Sequence, residues 1–102
     1  MHVENKSEIY QRLIENRGAI SDFGVRRFGL FGSFLNDDHN AESDVDIIVE
    51  FELGKKSFDS FMNLSFFLED ILGRKVDLVT PESLSPHIGP KILAEVEYGV
   101  ID

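Results

Sequence analysis

The sequence has no cysteine and no tryptophan, only three prolines, and about half as many basic residues as acidic ones. Each shortage excludes something. Without cysteine there can be no disulfide and no thiolate metal site, and the three histidines are too scattered to form a histidine centre. Any bound metal would therefore be held largely by oxygen. Ten Lys plus Arg against nineteen Asp plus Glu leave a formal charge of -9. A chain so acidic repels a nucleic-acid backbone and favours basic protein surfaces or cations, so no direct nucleic-acid contact is expected. Charges interrupt every apolar run before it reaches the roughly 18 residues of a membrane span, and the opening MHVENKSEIY lacks the apolar core of a signal peptide. The expectation is a soluble, cytoplasmic protein with no membrane partner.

What is present suffices for one compact core: 102 residues, 42% of them hydrophobic, with nine phenylalanines. No repeat, low-complexity tract or linker marks a boundary, so a single domain over residues 1–102 is expected. Ile9, Tyr10, Leu13 and Ile14 line one side of an amphipathic helix that should end near Gly18. VRRFGLFG, from Val25 to Gly32, puts Phe28 and Leu30 on one face of a strand and Arg27, Gly29 and Phe31 on the other. VDIIVEF, Val45 to Phe51, alternates as a second strand. After the turn Leu53-Gly54-Lys55-Lys56, Ser57 is the expected N-cap of a helix presenting Phe58, Phe61, Met62, Ser65, Leu68, Ile71 and Leu72, with Gly73 as its stop. KVDLVT, Lys75 to Thr80, reads as a third strand. Pro90 and Gly99 bracket a final helix through KILAEVEY. The order α-β-β-α-β-α predicts a small α/β (α+β) fold with a mixed three-stranded sheet flanked by helices.

Asp44 and Asp46 stand at i and i+2 at the start of the second strand, so their carboxylates leave the same face. Two such anions repel unless a cation lies between them, and an oxygen-rich pair suits Mg²⁺, which uses one or two carboxylates together with substrate phosphates. A nucleotide is the implied partner. Asp77 interrupts Val76, Leu78 and Val79 in a strand that reads as buried, where a carboxylate is costly unless it is paired or metal-bound. If the third strand lies beside the second, Asp77 joins the pair as a third carboxylate around two ions, or serves as general base for an attacking hydroxyl. Gly32 and Ser33 follow the first strand, where a glycine lets the backbone approach a ligand and successive N–H groups can form an anion-binding nest. Each feature alone has a plainer reading: a solvated strand start, a turn, a carboxylate on the outer side of an edge strand. Their conjunction carries the functional one.

Gly32-Ser33, ten intervening residues and Asp44-Val45-Asp46 reproduce the GSx10DxD signature, and with it the chain resembles the minimal nucleotidyltransferase (MNT) family within the polymerase-β-like nucleotidyltransferases. The resemblance runs from about Phe28 through Phe51 to Lys75-Val-Asp-Leu-Val-Thr, whose Asp77 matches the family's third acidic residue, and on through Leu84 to Tyr98. It implies a nucleotidyltransferase fold with the aspartates at a sheet edge. It further implies Mg²⁺, two ions in all, bound by Asp44, Asp46 and Asp77, with ATP held by Gly32 and Ser33. Stand-alone proteins of this kind resemble the antitoxins of HEPN/MNT toxin-antitoxin pairs, in which AMP passes from ATP to a tyrosine of the HEPN-domain ribonuclease toxin. The other expectations that remain are an antitoxin that neutralises by binding alone, and transfer to a different acceptor. Many members carry an arginine shortly after the glycine-serine pair, whereas Leu35-Asn36-Asp37 stands here. Lys55, Lys56, Arg74 and Lys75 are the basic groups that could compensate, though capping or solvated roles are the plainer reading of each. His39 reads as a solvated loop residue. Phenylalanines 58, 61, 66 and 67 cover more than one face of their helix, so some should remain free to dock the toxin or a second copy of the chain.

Overall fold

The computed structural model describes residues 3–100. Its elements are α1 (Lys6–Glu15), α2 (Arg17–Asp22), β1 (Val25–Phe31), β2 (Val45–Phe51), α3 (Phe58–Leu72), β3 (Val76–Val79), a short 3₁₀ turn (Pro81–Ser83), α4 (Gly89–Glu95) and β4 (Glu97–Val100). The sheet order is β3-β2-β1-β4. Strand β1 runs antiparallel to both β2 and β4, while β3 lies parallel to β2.

Local chemistry accounts for most of these boundaries. The side chain of Asn5 accepts the Glu8 N–H at 2.9 Å and starts α1. The helix does not run to Gly18 as its periodicity suggests. Asn16 breaks it, its amide turning back to donate to the Arg12 carbonyl at 2.8 Å, and a second helix follows as far as Asp22. The left-handed glycine is Gly24, at φ 90°. In α3 the expectation holds at both ends: Ser57 Oγ accepts the Ser60 N–H at 3.1 Å, and Gly73 at φ 66° stops the helix. Its buried stripe is Leu64, Leu68 and Leu72, however, and Phe58 is 78% exposed rather than turned inward.

The expected three strands are corrected to four. Instead of continuing through Tyr98, the last helix ends at Glu95, Val96 turns extended, and Glu97–Val100 pairs with β1, Tyr98 facing Gly29 and Glu97 facing Leu30. Val96, Tyr98 and Val100 favour extended backbone, and β1 would otherwise present a row of unpaired main-chain groups on that side.

One face of the sheet supplies Phe28, Leu30, Val45, Ile47, Val49, Val76 and Leu78 to a single cluster with Ile9, Leu13, Ile20 and the α3 leucines. The other face of β2 carries Asp46, Ile48 and Glu50. There Ile48 is fully buried, because Val96 and Tyr98 close with it over Gly29, where a Cβ would collide with Val96. Among the described residues, no helix is long and apolar enough to cross a membrane.

Candidate active site

The mixed topology brings the three sequence-predicted aspartates to one end of β2. Asp46 is in register with Asp77 across the parallel β2/β3 pair and with Phe31 across the antiparallel β1/β2 pair. Asp44 precedes it by two residues and so leaves the same side of the chain. Asp46 is half-buried, and Asp44 and Asp77 are exposed. Of the two readings of Asp77, the buried carboxylate gives way to the one on the outer side of an edge strand. Its neighbours Val76 and Leu78 point into the core, but β3 is an edge strand and the alternate residue faces out.

Gly32 lies directly against this cluster. Its φ of 78° is left-handed, and a Cβ built on it would collide with the Asp46 carboxylate. Two separate constraints therefore require glycine: a backbone angle that disfavours side chains, and an approach that leaves no room for one. Ser33 comes next, partly buried. The chain then curls on itself, the Gly32 carbonyl accepting from Asn36 N at 3.1 Å and the Ser33 carbonyl from Asp38 N at 2.8 Å. Asp37, at φ 62°, takes the second left-handed position.

The electrostatics of Asp46 follow from this placement. Its carboxyl pKa is pushed up to about 6, first by burial, then by the negative charge of Asp77, then by that of Asp44. A carboxylate set between two others carries a charge that a cation would offset. The donors are all oxygen, and their mutual repulsion is what a small divalent cation would relieve, so the residues present fit Mg²⁺. Among the described residues, no three ligating side chains already converge on one point that would hold a metal ion. Asp46 is the member shared by the two neighbouring carboxylates.

At the opposite end of the same strand face, Glu50 lives in reversed circumstances. Arg27 Nη2 pairs with it at 2.7 Å, Arg26 pairs with its other oxygen, and the Arg27 guanidinium stacks 3.9 Å from the Tyr98 ring centre. The hydrogen bond from Arg27, above all, holds the Glu50 carboxyl below its usual range.

Two residues of the loop, and one that reaches it from outside, were not recognised from sequence as structural. Phe34 is 1% exposed, and its ring stacks on that of His39 with centroids 4.1 Å apart. His39 is therefore no solvated loop side chain: its Nε2 lies 2.7 Å from the Glu4 carbonyl oxygen. Arg74 reaches over the Phe34 ring at 5.0 Å and donates to main-chain carbonyls of the loop. A large aromatic immediately after Gly32-Ser33 was the available signal. Of the basic groups considered as compensating for the family arginine, Arg74 is thus engaged with carbonyls, and Lys56 pairs with Glu82 at 2.9 Å. Lys55 and Lys75 are exposed.

A mixed α/β sheet of this order, with helices packed on it, is the architecture of a small nucleotidyltransferase: a solved chain provisionally described as a minimal nucleotidyltransferase superimposes with a TM-score of 0.70 at 30% identity, over 85% of this chain and 92% of its own. The chain belongs to the nucleotidyltransferase domain family, whose model matches residues 11–99. Among its relatives, the protein adenylyltransferase MntA of Thermococcus cleftensis is 45% identical over 76 residues, 74% of this chain and 76% of its own. A chain of Methanocaldococcus jannaschii provisionally named a protein adenylyltransferase is 38% identical over 95 residues, 90% of this chain and 95% of its own. The fold also recurs in a toxin-antitoxin crystal structure with AMP-PNP, at a TM-score of 0.67 and 23% identity over 93% of this chain and 72% of that one. A complex of the tri-AMPylated HEPN toxin of Shewanella oneidensis with its MNT antitoxin matches at 0.55 and 21%, over 82% and 68%. At these two identities the likeness bears on the fold alone.

Proposed function

We propose that this protein is the antitoxin of a HEPN/MNT pair, a Mg²⁺-dependent enzyme that transfers AMP from ATP to a tyrosine hydroxyl of its HEPN ribonuclease toxin and so neutralises it. The observation that carries the reading is the registered Asp46–Asp77 pair with Gly32 pressed against it. Kinship with MntA, and the toxin complexes of proteins that share the fold, support the choice of donor and acceptor.

Asp44, Asp46 and Asp77 would hold the metal. When bound, Mg²⁺ supplies positive charge to the triphosphate and lowers the pKa of the attacking hydroxyl. The chain's own residues do the rest. The Gly32-Ser33 turn brings main-chain N–H groups and one hydroxyl to the triphosphate. Asp77, exposed on the edge strand, is open to an incoming protein side chain and takes the tyrosine proton onto its carboxylate. The tyrosine oxygen then bonds to the α-phosphorus as the bond to the β-phosphate oxygen breaks, and pyrophosphate leaves. Most of the catalytic effect on this reading is positioning and charge neutralisation.

The test is to incubate the protein with the product of the neighbouring gene as candidate toxin, ATP and Mg²⁺, and to weigh both intact chains. The expected result is a gain of one or more AMP units by the toxin, lost with Asp44→Asn. No gain, together with full neutralisation of the toxin by Asp44→Asn, would overturn enzymatic neutralisation in favour of masking by binding. Transfer at the normal rate by Asp77→Asn would remove Asp77 from the machinery.

A further inference from the structure

The loop between the Gly32-Ser33 turn and β2 is fastened by a residue that belongs to neither. Arg74 sits just after the Gly73 helix stop and two residues before β3. Its Nε donates to the Val3 carbonyl at 2.7 Å, and its Nη1 donates to the carbonyls of Asn40 at 3.3 Å, Ala41 at 3.0 Å and Ser43 at 3.2 Å. The carbonyl of the next residue, Lys75, accepts the Val45 N–H at 2.9 Å. The peptide groups on both sides of Asp44 are therefore tied to the consecutive residues Arg74 and Lys75. Two residues further on, Asp77 stands in register with Asp46.

We propose that Arg74 is the positioning residue of Asp44: it pins the end of the loop to the start of β3, and so fixes the Asp44 carboxylate relative to Asp46 and Asp77. The chemistry of the side chain fits that task. A guanidinium presents five donors in a rigid plane and can serve Val3 and the loop carbonyls at once while its face lies over Phe34. An ammonium offers three donors from one point and cannot span the same set. Donors committed to main-chain carbonyls are withdrawn from a triphosphate, which separates this role from that of a phosphate-binding arginine.

The kinetic arm of the test rests on the function proposed above; the structural arm does not. In Arg74→Lys, amide hydrogen exchange across residues 40–44 should rise about tenfold or more while exchange in α3 is unchanged. For AMP transfer to the toxin, kcat should fall about tenfold or more with the KM for ATP held within about twofold, the signature of a misplaced group rather than a lost ligand. In Arg74→Ala, free guanidinium should restore part of kcat and methylammonium should not. Unchanged exchange at 40–44 would overturn the proposal. So would a rise shared equally by α3, which would reduce Arg74 to general stability, or a raised KM for ATP with kcat preserved, which would make it a phosphate ligand. If the parent transfers no AMP, the proposed function fails, and the exchange arm still decides the role of Arg74.

Discussion

Asp46 and Glu50 stand on one face of one strand, four residues apart, and are treated oppositely. Glu50 is given two arginines and an aromatic ring stacked on one of them. Asp46 is given burial and two more carboxylates. The first arrangement satisfies a charge within the protein, and its pKa falls; the second leaves a charge unsatisfied, and its pKa rises. A fold gains nothing from the second unless something outside the chain supplies the missing charge. The difference between the two ends of β2 therefore separates a charge satisfied within the fold from a carboxylate cluster whose chemistry fits a cation.

The comparison can be broken at several points. The largest effect should come from Asp46→Asn, which keeps the shape and removes the charge: AMP transfer should fall about a thousandfold or more, measured by product mass per unit time. Gly32→Ala should follow. The methyl meets the Asp46 carboxylate and the backbone angle disfavours it, so stability should drop by about 1–3 kcal/mol in chemical denaturation, with activity lost beyond that.

The smaller effects concern pH. Asp46 titrates near 6 when folded against about 4 when unfolded, so its folded carboxyl holds its proton more tightly. By linkage its contribution is fully present below the unfolded value and is lost as pH rises through about 6. In metal-free protein Asp46→Asn should accordingly be the more stable chain at pH 8, by about 1 kcal/mol once solvent screening of a half-exposed group is allowed for, and this advantage should vanish at pH 4. Glu50→Gln should behave in the opposite sense. The depressed carboxyl stabilises above its unfolded pKa and loses that effect as pH falls through its folded one, so the variant should cost about 1 kcal/mol at neutral pH, less in acid, and leave AMP transfer near normal. Parallel melts of the two variants across pH would settle whether the strand has two electrostatic characters or one. Finally, the Mg²⁺ concentration that half-saturates a melting shift should rise as pH drops through about 6, since the protonated Asp46 is no ligand. A pH-independent midpoint would place the ion elsewhere.

How much of this could be read beforehand depended on range. Features encoded by neighbours in sequence were legible: the Ser57 cap and Gly73 stop of α3, the extent of β2, and the Gly32-Ser33 and Asp44-Asp46 pairs with Asp77 behind them. Features decided at a distance were not. Helical bracketing by Pro90 and Gly99 was a sound local signal, and the open side of β1, nearly seventy residues upstream, outweighed it from Val96 onward. Arg74 meets loop carbonyls 31 to 34 positions away, a separation at which no periodicity operates. The strand carrying Asp77 was legible, but its exposure stayed open between two readings, because alternation in an apolar strand cannot tell an edge from a centre.

The lateness of β4 has a consequence for how the chain is made. During synthesis β1 and β2 are available to pair long before Glu97–Val100 emerges, so the outer side of β1 stays open until β4 has been made. An unpaired edge of that kind recruits strands from other molecules. Chains stalled or clipped before Val96 should thus be the aggregating species in a culture, and β4 acts as the protein's own guard against self-templating.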